Sequence, residues 1–150
     1  MNPPFAITSR LGIEHRAALE QLLFFNAQQD QLRHRIVETI ERYGMPELVE
    51  RDGALRIRLA GAAEVQALFA VAPAPQAQPI GLALYVRENE ERFVIVHIGV
   101  APAYAAGGAN ADTHLFFHLL QAIRAAARRT RGVRYVDLFY GAGRTRHIPV

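Results

Sequence analysis

A chain of 150 residues with 51% hydrophobic content fits one domain with a proper core, and no apolar run approaches the roughly 18 residues of a membrane span. The absence of cysteine excludes a disulfide framework, a thiolate nucleophile and a Cys-type zinc site, and the start Met1-Asn2-Pro3-Pro4 has no basic or apolar leader, so the expected compartment is the cytoplasm. The net charge of +3 is carried by arginine alone: residues 1–123 hold ten Arg against thirteen acids, and residues 124–150 hold seven Arg against Asp137.

In chain order, residues 5–8 read as a short edge strand and 13–27 as a helix with Ala17, Leu19, Leu22 and Leu23 turned inward. Asp30 suits the cap of a second helix whose buried stripe is Leu32, Ile36, Val37, Ile40 and Tyr43. Gly44 fits the left-handed position beyond it, and Pro46 prevents its continuation. Residues 55–59 alternate apolar side chains with Arg56 and Arg58 as in a half-exposed edge strand, and 65–71 is a second strand candidate. Pro73, Pro75 and Pro79 make the next segment a loop. Residues 80–87 resume as a strand, and the polar turn 88–91 returns the chain antiparallel into 93–100.

The run Phe93-Val94-Ile95-Val96-His97-Ile98-Gly99-Val100 is too continuous for a half-exposed strand, so it reads as a central strand covered on both faces. Gly99 within it suggests a bulge or a close approach by another chain. A loop without large apolar side chains follows over 105–113. Then comes a helix to Arg129, with Leu115, Leu119, Ala122 and Ala126 at helical spacing and Phe116, Leu120 and Ile123 broadening the stripe. Gly132 ends it, and 133–140 reads as a strand joined by a right-handed crossover. The fold class is therefore α+β: one domain over 1–150, with a mixed, mostly antiparallel sheet flanked by helices.

The small-residue loop feeds a helix N-terminus, where free backbone N–H groups and the helix dipole suit a phosphate; a βα turn that merely needs small residues is the alternative. No Gly-Lys-Ser/Thr follows the loop, the chain has no lysine, and no Gly-x-Gly-x-x-Gly opening is present, so neither a P-loop nor a dinucleotide fingerprint is encoded.

Two segments, Pro79-Ile80-Gly81-Leu82-Ala83-Leu84 and Ile98-Gly99-Val100-Ala101-Pro102-Ala103-Tyr104, resemble the V-G-F-A-L and V-x-P-x-Y signatures of the GNAT acetyltransferase superfamily. The resemblance covers about residues 5–140. It implies acetyl-CoA or coenzyme A as cosubstrate and transfer of the acyl group to an amine of a small molecule or peptide. The implied cofactor-binding residues are the strand backbone at Ile98, Gly99 and Val100 and the pyrophosphate loop Ala105, Gly107, Gly108, Ala109, Asn110 and Thr113. Gly108 matches the family's first loop glycine, whereas Ala105 replaces its Arg/Gln, Asn110 its last small residue, and about three extra residues precede the helix. The family's C-terminal helix and two strands, with a tyrosine that protonates the leaving thiolate, have only residues 141–150 to occupy.

Such chemistry needs a neutral amine, a stabilised oxyanion and a protonated thiolate. His97 is the candidate base or water-holding residue on the central strand, with a core histidine as the alternative. Tyr140 is the nearest phenol for the acid, Tyr135 is core or surface, and Tyr104 is structural. His114 and His118 stand four apart, a spacing that suits a metal, but only Asp112 is near to complete a set, so no metal is assigned. The competing readings are a catalytically silent GNAT-like interaction module and, from the basic C-terminal part, a nucleic-acid binder, which is not the expected partner. A last strand left open at its edge would be covered by a second copy, so a homodimer is expected.

Overall fold

The computed structural model describes residues 5–24, 43–61, 64–105, 107–140 and 144–150, without the side chains of 24, 139, 140 and 144–146. The helix read over 30–43 lies outside the described residues, apart from buried Tyr43 at its end. Eight strands are described: β1 (Ala6–Thr8), β2 (Pro46–Arg51), β3 (Ala54–Leu59), β4 (Gln66–Val71), β5 (Pro79–Asn89), β6 (Arg92–Val100), β7 (Tyr135–Tyr140) and β8 (Arg144–Pro149). Two α-helices accompany them, α1 (Arg16–Phe24) and α2 (Leu115–Arg128). The main sheet runs β1-β4-β5-β6-β7-β8 and is antiparallel throughout except between β6 and β7; β2 and β3 form a separate hairpin. This is the α+β class read from the sequence; from β4 to β7 the element order is the one the resemblance implies, and β8 then follows where the family has a helix and two strands.

The sheet separates two cores. On one face α2 lays Leu115, Leu119, Ile123 and Ala127 against Ile95, Ile98, Val136 and Leu138. Each of the larger residues contributes about 1.5–3 kcal/mol by leaving water. On the other face α1 and the β2–β3 hairpin bring Leu19, Leu23, Leu55 and Ile57 onto Leu82, Leu84, Val94 and Val96. Strands β5 and β6 are thus covered twice, which is why their sequences are apolar without alternation.

Several details depart from the sequence reading. Ala17 is exposed on α1, and the buried stripe of α2 steps by four, leaving Ala122 and Ala126 half-buried and Phe116 40% exposed. Pro46 opens a strand, because the following Asp52-Gly53 pair, both at positive φ, closes a tight hairpin onto β3. The C-terminal residues form β8, so β7 is not the edge of the sheet. The helix seat is set by Gly81, where an added Cβ would stand 3.1 Å from both Leu115 and Leu119.

Candidate functional site: an opening between β6 and β7

The parallel ladder of β6 and β7 is short. Its last pair is Ile95 with Leu138, although β6 continues to Val100 and β7 to Tyr140. The cause lies on the other side of β6. Leu84 of β5 faces His97 while Tyr85 faces Ile95, so Val96 is one residue too many for its partner strand. Such a bulge bends and twists the strand that carries it, and the described β6–β7 ladder ends where it begins. The bulge is therefore at Val96 and not at Gly99, which sits in regular register with Leu82. An inserted residue, not a small one, makes the irregularity.

Ile98, Gly99 and Val100 carry β6 beyond its last ladder pair with β7. The side chains of Ile98 and Val100 are buried toward α2, so these positions offer backbone to the gap. His97 is half-buried and lies in register with Leu84, on the face of α1 and the hairpin. Tyr140 ends β7 opposite Arg144, and its side chain lies outside the described residues.

Beyond β6 the chain makes two 3-10 turns, Pro102–Tyr104 and Ala111–Thr113, before α2 begins. The extra residues ahead of the helix are this second turn. Gly107 has φ +82°, and an added Cβ at Gly108 would stand 2.3 Å from the Pro102 carbonyl oxygen, so both glycines are required by the loop itself. Within it the N–H of Gly108 donates to Ala105 O at 2.9 Å, that of Asn110 to Ala103 O at 2.6 Å and that of Thr113 to Asn110 O at 3.1 Å. Ala105 is buried and Ala109 exposed, while Ala106 lies outside the described residues. With those donors turned inward, the candidates for an anion are the loop N–H groups of Gly107, Ala109 and Asp112 and the first-turn N–H groups of α2. Those of Leu115, Phe116 and Phe117 reach no backbone carbonyl among the described residues, and His114, at φ 52°, places no side chain over them.

His114 is exposed and His118 half-buried. His118 packs edge-on against Phe5 with ring centroids 5.3 Å apart, and no group of three metal-ligating side chains occurs among the described residues. Tyr104 is half-buried against the α2 core.

The sequence reading missed one cluster. Asp137 is 3% exposed and is the one buried charged residue among those described. It stands one pair before the opening, opposite Val94, and its carboxylate meets Arg92 Nε at 3.0 Å and His147 Nδ1 at 2.5 Å. The His147 side chain is 57% exposed. No local pattern announces the group, since it draws on β6, β7 and β8; a lone acid in an apolar strand, Tyr-Val-Asp-Leu-Phe, was the available signal.

A cleft of about 680 Å³ lies at the other end of the sheet, lined by Tyr43, Gln66, Tyr85, Phe93 and Thr130 among others. There burial pushes the Tyr85 phenol above its ordinary value, partly offset by the positive charge of Arg129. This cleft borders the start of β6, and its Tyr85 is in register with Ile95, the last β6 residue laddered to β7.

No family model and no curated protein matches the chain. Among solved structures, an acetyltransferase from Streptococcus agalactiae is similar over 91% of this chain and 73% of its own, at 14% identity and a TM-score of 0.49. A candidate acetyltransferase of the GNAT family from Desulfovibrio desulfuricans is similar over 89% and 72%, at 17% identity and a TM-score of 0.41.

Proposed function

We propose that the chain is a GNAT-like N-acyltransferase that accepts acetyl-CoA or another acyl-CoA and passes the acyl group to an amine of a small molecule or peptide. The observation that carries this reading is the parting of β6 from β7 after Ile95 and Leu138. A gap of that kind, with strand backbone along one side, suits an extended amide-bearing arm that pairs as an added strand. The signature-like segments at 79–84 and 98–104 support it from the sequence.

In this reading Ile98, Gly99 and Val100 contact the pantetheine arm through their backbone, one of their N–H groups faces the oxyanion, and the first turn of α2 receives the pyrophosphate. His97, at the bulge, borders the thioester and holds water on the acceptor face. Tyr140 is the candidate that returns a proton to the thiolate. Calorimetric titration with coenzyme A tests the donor: saturable heat and a raised melting temperature are expected, and neither signal at millimolar ligand would reject it. A second reading, a GNAT-like module that does not turn over, is favoured by the inward-facing N–H groups of Gly108, Asn110 and Thr113. It gains if coenzyme A fails to bind.

A further inference from the structure

The Arg92–Asp137–His147 cluster stands where the two strands rejoin. Asp137 pairs with Val94 one step before the final pair, and His147 of β8 lies directly across from Asp137. The α2 core claims Val136 and Leu138, so the intervening Asp137 belongs to the opposite face, the one on which Leu84 and His97 are in register. A thioester arm entering from the Val100 end reaches its limit at that junction. The cluster therefore borders the arm's tip, on the side away from α2.

A buried carboxylate held by an arginine and an imidazole has two ordinary uses, a structural clasp and an oriented base. The burial is unequal in a way that separates them. Asp137 is 4% exposed in its side chain and Arg92 36%, while the imidazole is 57% exposed. A carboxylate only accepts hydrogen bonds, so at their contact of 2.5 Å the ring carries a proton on Nδ1, and in the neutral imidazole the lone pair is then on Nε2. A clasp has no need of that lone pair; a proton acceptor does.

We infer that His147 is the proton acceptor for the incoming amine, with Asp137 fixing its tautomer and Arg92 holding Asp137 as a positioning residue. The inference rests on the acyltransferase reading. His147 Nε2 takes one proton from the ammonium form of the acceptor, giving a neutral amine. The amine nitrogen attacks the thioester carbonyl carbon, a C–N bond forms, and collapse of the tetrahedral adduct breaks the C–S bond. The second nitrogen proton goes to the departing thiolate, so amide and coenzyme A thiol leave and His147 returns its proton to water. Among the described side chains the imidazole meets the Asp137 carboxylate, which Arg92 also meets, and the Tyr135 ring lies 6.5 Å away.

The test uses acetyl-CoA with ethylamine as the acceptor probe, following thiol release, and measures coenzyme A binding separately by calorimetry. His147→Gln and His147→Ala are expected to bind coenzyme A as the unaltered chain does. Thiol release should fall about 100-fold or more, the lower range for loss of a general base. Added imidazole should restore release in His147→Ala, since the exposed site admits it, and a purely structural clasp would show no such rescue. Thermal melts show whether each variant is folded. In the unaltered chain, nitrogen chemical shifts should report the Nδ1-protonated tautomer. Unchanged release in a folded His147→Gln that binds coenzyme A overturns this inference alone, as does the Nε2-protonated tautomer or a loss that imidazole leaves unrepaired. Failure of coenzyme A to bind the unaltered chain overturns the acyltransferase reading and this inference with it.

Discussion

At the scale of single residues, the chain's use of arginine without lysine simplifies its alkaline behaviour. Between about pH 9 and 11 the side chains that titrate are its phenols, because arginine stays charged well above that range. Tyr85 is the phenol whose value burial raises from 10.0. Above pH 10 the unfolded chain has released that proton while the folded chain retains it, so the stability this phenol confers is complete below 10 and falls as pH climbs through its raised value. Tyr85→Phe should flatten that decline, read as the change in urea midpoint between about pH 9 and 11. An unaltered slope would assign the decline to the other tyrosines. Residues also set the limits of what the sequence disclosed. Gly107 and Gly108 were legible as a loop, but their reasons, a positive φ and a carbonyl 2.3 Å from a missing Cβ, depend on backbone brought back from Pro102.

At the scale of elements, β6 and α2 were legible because their apolar patterns are long and of one period. Strand β8 was not, since Arg144, Arg146 and His147 stand where a strand would show apolar residues, leaving Ile148 as its main apolar contact with the core. The bulge was misplaced for a related reason: Val96 looks like any strand residue. The trace it leaves is Ile95 and Ile98, three apart yet facing the same core. This makes a specific deletion informative. Removing Val96 puts His97 in its place and keeps every later side chain on its present face, while restoring an even ladder with β5. The variant should fold with a melting temperature within a few degrees of the parent, extend the β6–β7 ladder and lose coenzyme A binding in the calorimeter. Retained binding would show that the opening does not depend on the inserted residue.

At the scale of the whole molecule, the basic C-terminal part is built into the structure. Arg124 donates to Pro149 O at 3.0 Å, the Val150 N–H donates to Arg134 O at 3.1 Å, and Arg134 lies 3.7 Å from Glu91. Two of the positive charges that suggested a nucleic-acid surface thus have partners within the fold, Arg124 on β8 and Arg134 on the β5–β6 turn. The reason for expecting a homodimer also changes, because β8 covers the edge of β7. The sheet's outer margin is now an arginine-rich strand, a composition that discourages further strand addition.

Where its ladder with β7 ends, β6 has helix α2 on one face and α1 with its hairpin on the other. The proposed function makes that place a window between two compartments that the rest of the sheet keeps apart. On the proposed function, donor and acceptor approach that window from opposite sides and neither blocks the other's entrance. Both are then aboard when the bond is made, and no acylated protein intermediate is required. Initial rates measured against both substrates should give intersecting double-reciprocal lines; parallel lines would mean that the two partners take turns at one door.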